Sequence, residues 1–211
     1  MRYFLLLICI CTGCCPVHGP NATHKKRVAR LFLDAGHGGR DSGAKVPALE
    51  EKMLSLEIAR YAEGFLQKMG YQVAMSRTDD TFVPLLERVS KAQKWGANAF
   101  ISIHFNSAKS KMARGPEAFY YYSPKFPKRA ERSKQLASSI VEHLSSALST
   151  PSRGAKRGNF CVIRETTMPA VLVETAFLTN PHEARLLLPT SSKRQIAMAI
   201  AKGVDEFLQK G

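Results

Sequence analysis

Short apolar runs with strand character alternate along the chain with longer stretches in which apolar residues recur every three or four positions. The strand-like runs lie at residues 28–33, 71–76, 99–104, 117–122, 160–163 and 170–173. The predicted helices lie at residues 51–69, 85–95, 131–148, 180–188 and 191–210. Strands that alternate with helices of this length predict an α/β fold whose sheet is covered by helices on both faces.

Local patterns refine this prediction. In the first helix, the expected buried face carries Leu54, Ile58, Phe65 and Met69, with Tyr61 or Ala62 between them, and Gly70 is expected to end it. The run "AFISIH" is rich in β-branched residues and suits a central strand. The run "EAFYYY" is the candidate for an antiparallel strand, which predicts a mixed sheet.

The first 24 residues have the layout of a bacterial export signal. Arg2 precedes an apolar run over residues 3–11, which is too short to span a bilayer, and small residues and a proline follow. Cys14 follows Thr12 and Gly13 as in a lipoprotein signal, although Cys11 replaces the usual leucine. We therefore expect an exported, periplasmic protein, with lipid anchoring through Cys14 as a further hypothesis, and one domain over residues 25–211.

The positions of the cysteines and the net charge indicate whether disulfides form and which partners to expect. Four of the five cysteines lie in the signal, so the mature chain keeps only Cys161 and no internal disulfide is expected. The formal net charge of +14 favours an anionic partner, such as a membrane surface or an acidic polymer. Nucleic acid is not expected, because the chain is exported and its basic residues are not interleaved with aromatic ones. A merely solvated basic surface is the alternative.

Three groups that bind metals or transfer protons stand at the ends of predicted strands. His37 follows the first strand, His104 closes "AFISIH", and Glu174 closes "PAVLVE". In open α/β sheets the carboxyl ends of the strands meet at the ligand site. Glu50 and Glu51 begin the first helix, where the helix dipole alone also favours a carboxylate. Two histidines and a glutamate suit a hydrolytic zinc, with another carboxylate left to move protons.

Five segments, in order, resemble the zinc-dependent N-acetylmuramoyl-L-alanine amidases of bacterial cell-wall turnover. These segments are "DAGHGGRDSGA", "EEKMLSLEIA", "SRTDDTFVPLLERVSKA", "SIHFNS" and "RGAKRGNFCVIRETTMPAVLVETAFLTN", and the resemblance covers residues 28–211. It implies one zinc ion held by His37, Glu51 and His104, with Glu174 as the catalytic carboxylate. The glutamate before the lysine of the family's "EK" pair selects Glu51 over Glu50. The implied fold is a mixed, mostly parallel six-stranded sheet in a single domain.

The implied substrate is peptidoglycan, cleaved between N-acetylmuramic acid and the L-alanine of the stem peptide. Stem carboxylates suit a basic protein. Candidate substrate contacts are Asn106, Arg77, Arg88 and Arg164, although Asn106 also suits a role in orienting its loop and the arginines also suit buried pairing with acids. Asp34 is a candidate to orient a ligand histidine. A monomer is the default expectation, and regulatory partners cannot be inferred.

One departure from the resemblance concerns regulation. Several family members carry a long insertion after the "SIHFN" strand that covers the zinc until an activator displaces it, whereas here only about the span of a strand and two short loops intervenes. We therefore expect the domain to be active without an activator, and we expect no separate wall-binding module.

Three alternatives remain open. They are a zinc carboxypeptidase or endopeptidase on stem peptides, a penicillin-interacting serine enzyme and a non-catalytic peptidoglycan-binding module. The serine enzyme rests on "SGAK", in which Lys45 follows Ser42 in the S-x-x-K pattern. Glu174 argues against the binding module, because a binder needs no general base.

Overall fold

The computed structural model describes residues 28–210 as alternating strands and helices. The strands are β1 (Arg30–Ala35), β2 (Lys45–Val46), β3 (Leu49–Glu50), β4 (Gln72–Met75), β5 (Ala99–Asn106), β6 (Glu117–Tyr120), β7 (Ala155–Arg157) and β8 (Ala170–Phe177). The helices are α1 (Glu51–Lys68), α2 (Leu85–Trp95), α3 (Pro127–Leu148), α4 (Cys161–Arg164), α5 (Pro181–Leu186) and α6 (Thr190–Gln209).

Six of the strands form one mixed sheet in the order β4-β1-β5-β8-β6-β7, and β2 pairs with β3 in a separate hairpin. The first four are parallel, β6 is antiparallel to β8, and β7 is parallel to β6. The predicted mixed, mostly parallel six-stranded sheet is confirmed, as is the antiparallel direction of "EAFYYY". The parallel part follows from the helical crossovers, since parallel neighbours need a long connection.

Successive side chains along the central strands point to opposite faces of the sheet and so form two apolar layers. Leu33, Ile103 and Val173 face α1, α3 and α6, in a large cluster of buried residues. Phe32 and Phe100 face the other way and pack with residues of α2 and α4. Both faces are therefore covered as predicted, but two shorter helices cover the second face and leave room there for a cleft.

The apolar stripe of α1 is confirmed over most of its length. Leu54, Ile58 and Ala62 are buried as expected. The expected Phe65 is only partly buried, Leu66 beside it is fully buried, and the expected Met69 is 38% exposed. Gly70 follows the helix with a φ of 92°, a left-handed conformation that favours glycine and ends the helix where predicted.

The prediction of a strand at residues 160–163 is wrong, because this segment forms the helical turn α4. Val162 and Ile163 are adjacent and both buried against the second apolar layer, which a strand with side chains on alternate faces would not allow so easily. The sixth strand is instead β7, whose sequence Ala-Lys-Arg carries no apolar signal. Helix α3 also begins at Pro127, four residues before the predicted start, because proline suits the first turn.

The predicted signal at residues 1–24, including Cys14, lies outside the part of the chain that the structure describes. Between residues 28 and 210, no helix has both the length and the apolar character needed to cross a bilayer.

The close packing of α3 against α6 depends on Gly203. A Cβ atom there would lie 2.6 Å from the Cα of Ile140, which is backbone and cannot swing aside. We expect Gly203→Ala to reduce the free energy of unfolding by about 1–3 kcal/mol through overpacking, measured by urea denaturation.

The matched control is Gly64→Ala in α1, where an added Cβ meets nothing within 4 Å. It should raise the free energy of unfolding by about 0.5–1 kcal/mol, because alanine is the better helix former. Equal effects of the two substitutions would contradict the close contact at Gly203.

Candidate metal centre and active site

Polar side chains from three parallel strands meet on one face of the sheet near its carboxyl edge. Asp34 is paired in register with Ser102, and His104 is paired with Glu174. Directly paired residues project from the same face, so His104 and Glu174 lie side by side. They lie on the face that α2 and α4 cover only in part. His104 and Glu174 occupy equivalent positions, as expected, but they lie within their strands and not at the ends, because β5 continues to Asn106 and β8 to Phe177.

The first residue of α1, Glu51, reaches over the end of the sheet to this pair. Its Oε1 accepts a hydrogen bond from the backbone N–H of Phe105 at 3.0 Å, and its Oε2 accepts one from Ala44 at 2.8 Å. The side chain is 5% exposed. Burial alone raises the pKa of Glu51, but His104 and His37 outweigh it and hold that pKa well below its usual range.

Two imidazole rings converge on the same carboxylate oxygen. His37 Nε2 lies 3.0 Å from Glu51 Oε1, and His104 Nδ1 lies 2.9 Å from it. One atom from each of the three residues can be chosen so that all lie within 4.8 Å of one another. Two nitrogens and a carboxylate oxygen at this separation fit the ligand set of a hydrolytic zinc, which leaves a fourth position for water.

Glycines make room for the three side chains. A Cβ at position 36 would lie 2.5 Å from His104 Cε1, and one at position 43 would lie 2.5 Å from Glu51 Oε2 and 2.6 Å from His37 Cδ2. His37 itself has a φ of 58°, a conformation that is uncommon outside glycine and is concentrated at functional sites. The glycine-rich loop therefore shapes the pocket for the ligands.

The carboxylate beside His37 is Asp41. Its Oδ2 lies 2.9 Å from His37 Nδ1, on the ring nitrogen that faces away from Glu51. The expectation that Asp34 orients a ligand histidine is wrong, because Asp34 pairs with Arg88 at 2.8 Å and accepts a hydrogen bond from Ser102 at 2.6 Å. The four-residue spacing from His37 to Asp41 within one loop could have suggested Asp41 from sequence.

Glu174 is a buried carboxyl group whose Oε2 has no hydrogen-bond partner in residues 28–210. Burial raises its pKa to about 7, and the charges of Glu51 and Glu117 add to this effect while His104 opposes it. A cation held by the neighbouring ligands would lower that pKa again, because an opposite charge favours the ionised form. An unpartnered carboxyl beside a candidate metal centre is suited to receive and deliver protons.

Arg77 and Arg88 lie beneath the glycine-rich loop. Arg77 is 4% exposed and donates hydrogen bonds to the carbonyl groups of Ala35, Gly36, Lys52 and Asp79. Arg88 is 2% exposed and donates to Asp34 and to the carbonyl groups of Val83, Ala35 and His37. Four of the five N–H groups of each guanidinium are thus occupied, which favours the structural alternative over substrate contact for both arginines.

The other two predicted substrate contacts lie in different places. Asn106 donates a hydrogen bond to Glu117 and accepts one from the backbone N–H of Ser107, which agrees with a role in orienting its loop. The Arg164 side chain, on α4, is 35% exposed and pairs with Glu165 at 2.7 Å. The sequence analysis missed Glu117, which is buried at the start of β6 in register with Glu174.

The serine-enzyme alternative has no support in the geometry. The hydroxyl of Ser42 donates a hydrogen bond to the carbonyl of Gly43, and Lys45 Nζ lies 2.9 Å from Glu50. Lys45 therefore pairs with a carboxylate and does not activate Ser42.

A cavity of about 330 Å³ adjoins the two histidines. Its lining is mainly apolar and includes Phe82, Leu85 and Phe160, together with Val162 of α4. The candidate centre thus faces a cleft with room for part of a substrate.

A family model described as N-acetylmuramoyl-L-alanine amidase, Amidase_3, matches residues 31–206. The chain belongs to the Amidase_3 family. This segment contains His37, Glu51, His104 and Glu174, so the proposed site lies inside the matched region.

Individual Amidase_3 relatives agree with this assignment. N-acetylmuramoyl-L-alanine amidase LytC of Bacillus subtilis (strain 168) is 42% identical over 177 residues, which are 84% of this chain and 35% of LytC. This chain therefore spans about a third of the length of LytC. The catalytic domain of CwlV, the N-acetylmuramoyl-L-alanine amidase from Bacillus (Paenibacillus) polymyxa var. colistinus, is 37% identical with a TM-score of 0.79.

The similarity to CwlV covers 86% of this chain and 99% of that structure. The N-acetylmuramoyl-L-alanine amidase from Clostridium difficile 630 is 36% identical with a TM-score of 0.80, covering 87% of this chain and 99% of its own. The described fold therefore corresponds to nearly all of both of these amidase structures.

The buried pair of Arg88 with Asp34 supports the loop that carries His37. We expect Arg88→Gln to lower the free energy of unfolding by about 3–5 kcal/mol, because it leaves Asp34 buried without its cation. Urea denaturation at pH 7 measures this loss. The control Lys91→Gln removes an exposed pair with Glu87 at 3.0 Å and a hydrogen bond to the carbonyl of Ser76 at 3.2 Å, and it should cost less than about 1.5 kcal/mol.

The same pair predicts a pH dependence. Burial raises the pKa of Asp34, but Arg88 and hydrogen bonds with Ser102 and Ser76 outweigh it, so the pKa in the folded state lies below its usual value. Its contribution is therefore present at neutral pH and lost as the pH falls through the folded-state value. The stability difference between wild type and Arg88→Gln should shrink in acid, and an unchanged difference would contradict this.

Proposed function

We propose that this protein hydrolyses the amide bond between N-acetylmuramic acid and the L-alanine of the stem peptide in peptidoglycan. The observation that carries the proposal is Glu174, with its unpartnered buried oxygen, beside the converging side chains of His37, Glu51 and His104. Membership of Amidase_3, and the printed names of LytC and CwlV, support this choice of bond. A binding module without catalysis would have no use for this costly buried carboxyl.

His37, Glu51 and His104 are the residues that would hold one zinc ion. Zinc bound there supplies Lewis-acid chemistry, which makes water a better nucleophile near neutral pH and polarises a carbonyl group. The chain's contribution is a preformed ligand set. Two backbone N–H groups hold the Glu51 carboxylate, and Asp41 faces the outer nitrogen of His37. Such partners orient ligands and strengthen metal binding.

Glu174 carries the proton chemistry in this proposal. Its carboxylate accepts a proton from the attacking water, and the resulting acid delivers that proton to the departing nitrogen of L-alanine. A carboxyl group performs both steps when it lies within hydrogen-bond reach of the proton that it moves. Glu174 stands beside His104 on the neighbouring strand, and this position fixes the Glu174 carboxyl group next to the proposed metal ligands. Among residues 28–210, no hydrogen bond joins Glu174 to Glu51.

We further propose that residues 1–24 direct export to the periplasm, with Cys14 as a lipid attachment point. The substrate supports this, because peptidoglycan lies outside the cytoplasm. The short connection from β5 to α3, which holds only β6 and its loops, supports activity without an activator.

Metal binding can be tested before activity. We expect the purified protein to bind one zinc ion per chain, measured by elemental analysis after dialysis, and EDTA to remove both the metal and the digestion of sacculi. His37→Ala and His104→Ala should each weaken zinc binding at least about 10-fold. His143→Ala is the control, since His143 pairs with Glu206 on α6 and is not part of the triad. Full zinc binding by both triad variants would contradict the ligand assignment.

Glu174→Gln separates metal binding from catalysis. The variant should keep its zinc but lose about 10²–10⁴-fold in the release of peptides that begin with L-alanine, measured by mass spectrometry of sacculus digests. Wild-type protein alone, without an added partner, should release them. Glu165→Gln, on the surface beside Arg164, should digest normally. Products cleaved within the stem, with the muramoyl amide intact, would show that the protein is a peptidase instead.

A further inference from the structure

Three cations gather around Glu117, on the opposite side of Glu174 from His104. They are Arg114, in the loop before β6, Arg153, in the loop before β7, and Lys156, within β7. Together they line an open depression of about 470 Å³. We call Arg114, Arg153 and Lys156 the basic group.

The sheet topology places the basic group close to the catalytic carboxyl. Glu117 is paired in register with Glu174, and its Oε2 accepts hydrogen bonds from Arg153 Nε at 3.2 Å and from Lys156 Nζ. The strand order β8-β6-β7 thus sets His104, Glu174, Glu117 and the basic group in a row. Two strand spacings of about 4.8 Å put the basic group roughly 10 Å from Glu174.

The cations outnumber the acids that face them. Arg153 and Lys156 share the single carboxylate of Glu117, and their side chains remain 38% and 40% exposed. Arg114 is exposed and forms no ion pair with any residue between 28 and 210. About two positive charges are therefore left to attract an anion at this place.

The loops that carry Arg114 and Arg153 are fastened to each other and to the core. The backbone N–H of Gly115 donates to buried Glu183 at 2.8 Å, and that of Arg153 donates to the carbonyl of Pro116 at 2.9 Å. The ring of Phe177 also lies 5.1 Å below the Arg153 guanidinium. The two loops and the Arg153 side chain are thus organised before any ligand arrives, which reduces the entropic cost of binding.

The two sides of the candidate metal centre differ in chemistry. Beyond His37 and His104 the cleft is walled by Phe82, Leu85 and Phe160, and Arg88 there is already paired with Asp34. Beyond Glu174 lies the basic group. A substrate with an uncharged part on one side of the scissile bond and carboxylates on the other would therefore bind in one direction.

We propose that the basic group binds carboxylates of the stem peptide and so directs the peptide across β6 and β7, with the muramic acid toward the apolar cavity. This inference rests on the proposed amidase function. An extended peptide advances about 3.3–3.6 Å per residue, so roughly 10 Å corresponds to the second and third residues after the scissile amide. Arg114, Arg153 and Lys156 are positioning residues, because they contact the stem at a distance from the reacting bond.

The test uses two muramoyl peptides that differ only at the second stem residue, which carries either a free α-carboxylate or the neutral amide. Wild-type protein should show a lower KM for the carboxylate, and added salt should reduce this preference by screening. Arg114→Gln and Arg153→Gln should each raise KM for the carboxylate substrate about fivefold, with little change in kcat and little change for the amide. Arg114→Glu should reverse the preference.

Lys202→Gln, which removes one exposed cation from α6, is the matched control and should behave as wild type. Circular dichroism and the melting temperature establish that the variants are folded, and Arg114 is the safer position because it has no partner to lose. Equal losses on both substrates, or no loss on either, would overturn the proposal.

A binding measurement separates this inference from the proposed function. Calorimetry with Glu174→Gln protein and the intact carboxylate substrate should show binding that Arg114→Glu, added to the same background, weakens at least about fivefold. If wild-type protein cleaved neither muramoyl peptide but the charge-dependent binding persisted, the reaction assignment would fail and the peptide site would stand. Binding unaffected by Arg114→Glu would refute the peptide site while leaving the amidase function intact.

Discussion

The site depends on the contacts that the buried carboxylate of Glu51 makes with its neighbours. This carboxylate joins the glycine-rich loop through His37 and Ala44, strand β5 through His104 and Phe105, and helix α1 through its own backbone. Such a group is unfavourable in an apolar interior unless every lone pair is satisfied. These contacts add to the apolar packing of Leu54 in holding the first turn of α1 at the end of the sheet. One side chain therefore fixes both a helix position and a ligand set.

The larger part of the architecture was predictable because local and global patterns agree. Three local patterns each indicated a single element. The β-branched run up to His104 indicated a strand, the stripe of Leu54, Ile58 and Ala62 a helix, and Gly70 the end of that helix. The parallel pairing of β5 with β8 brings His104 and Glu174 together by topology alone. The choice of Glu51 over Glu50 came from the family resemblance, since a helix dipole attracts either residue.

The predictions that failed also have physical reasons. The segment at 160–163 is short and apolar throughout, so its period cannot distinguish a strand from a helical turn, and contact with α2 decides it. Strand β7 is held by hydrogen bonds to β6 and has no apolar alternation to detect. Asp34 and Asp41 are equally plausible neighbours of a histidine, and only the closure of the loop over Arg77 and Arg88 shows which one faces it. Features that depend on tertiary contacts are thus the hardest to predict from the sequence.

Strand β7 also has a consequence for the behaviour of the protein in solution. It is the last strand of the sheet, three residues long, and two of those residues are Lys156 and Arg157. An unpaired sheet edge is a template on which a second chain can add a strand, and short, positively charged edges resist this. Positive charge at this sheet edge therefore protects against aggregation and fibre-like association, a benefit that is independent of catalysis.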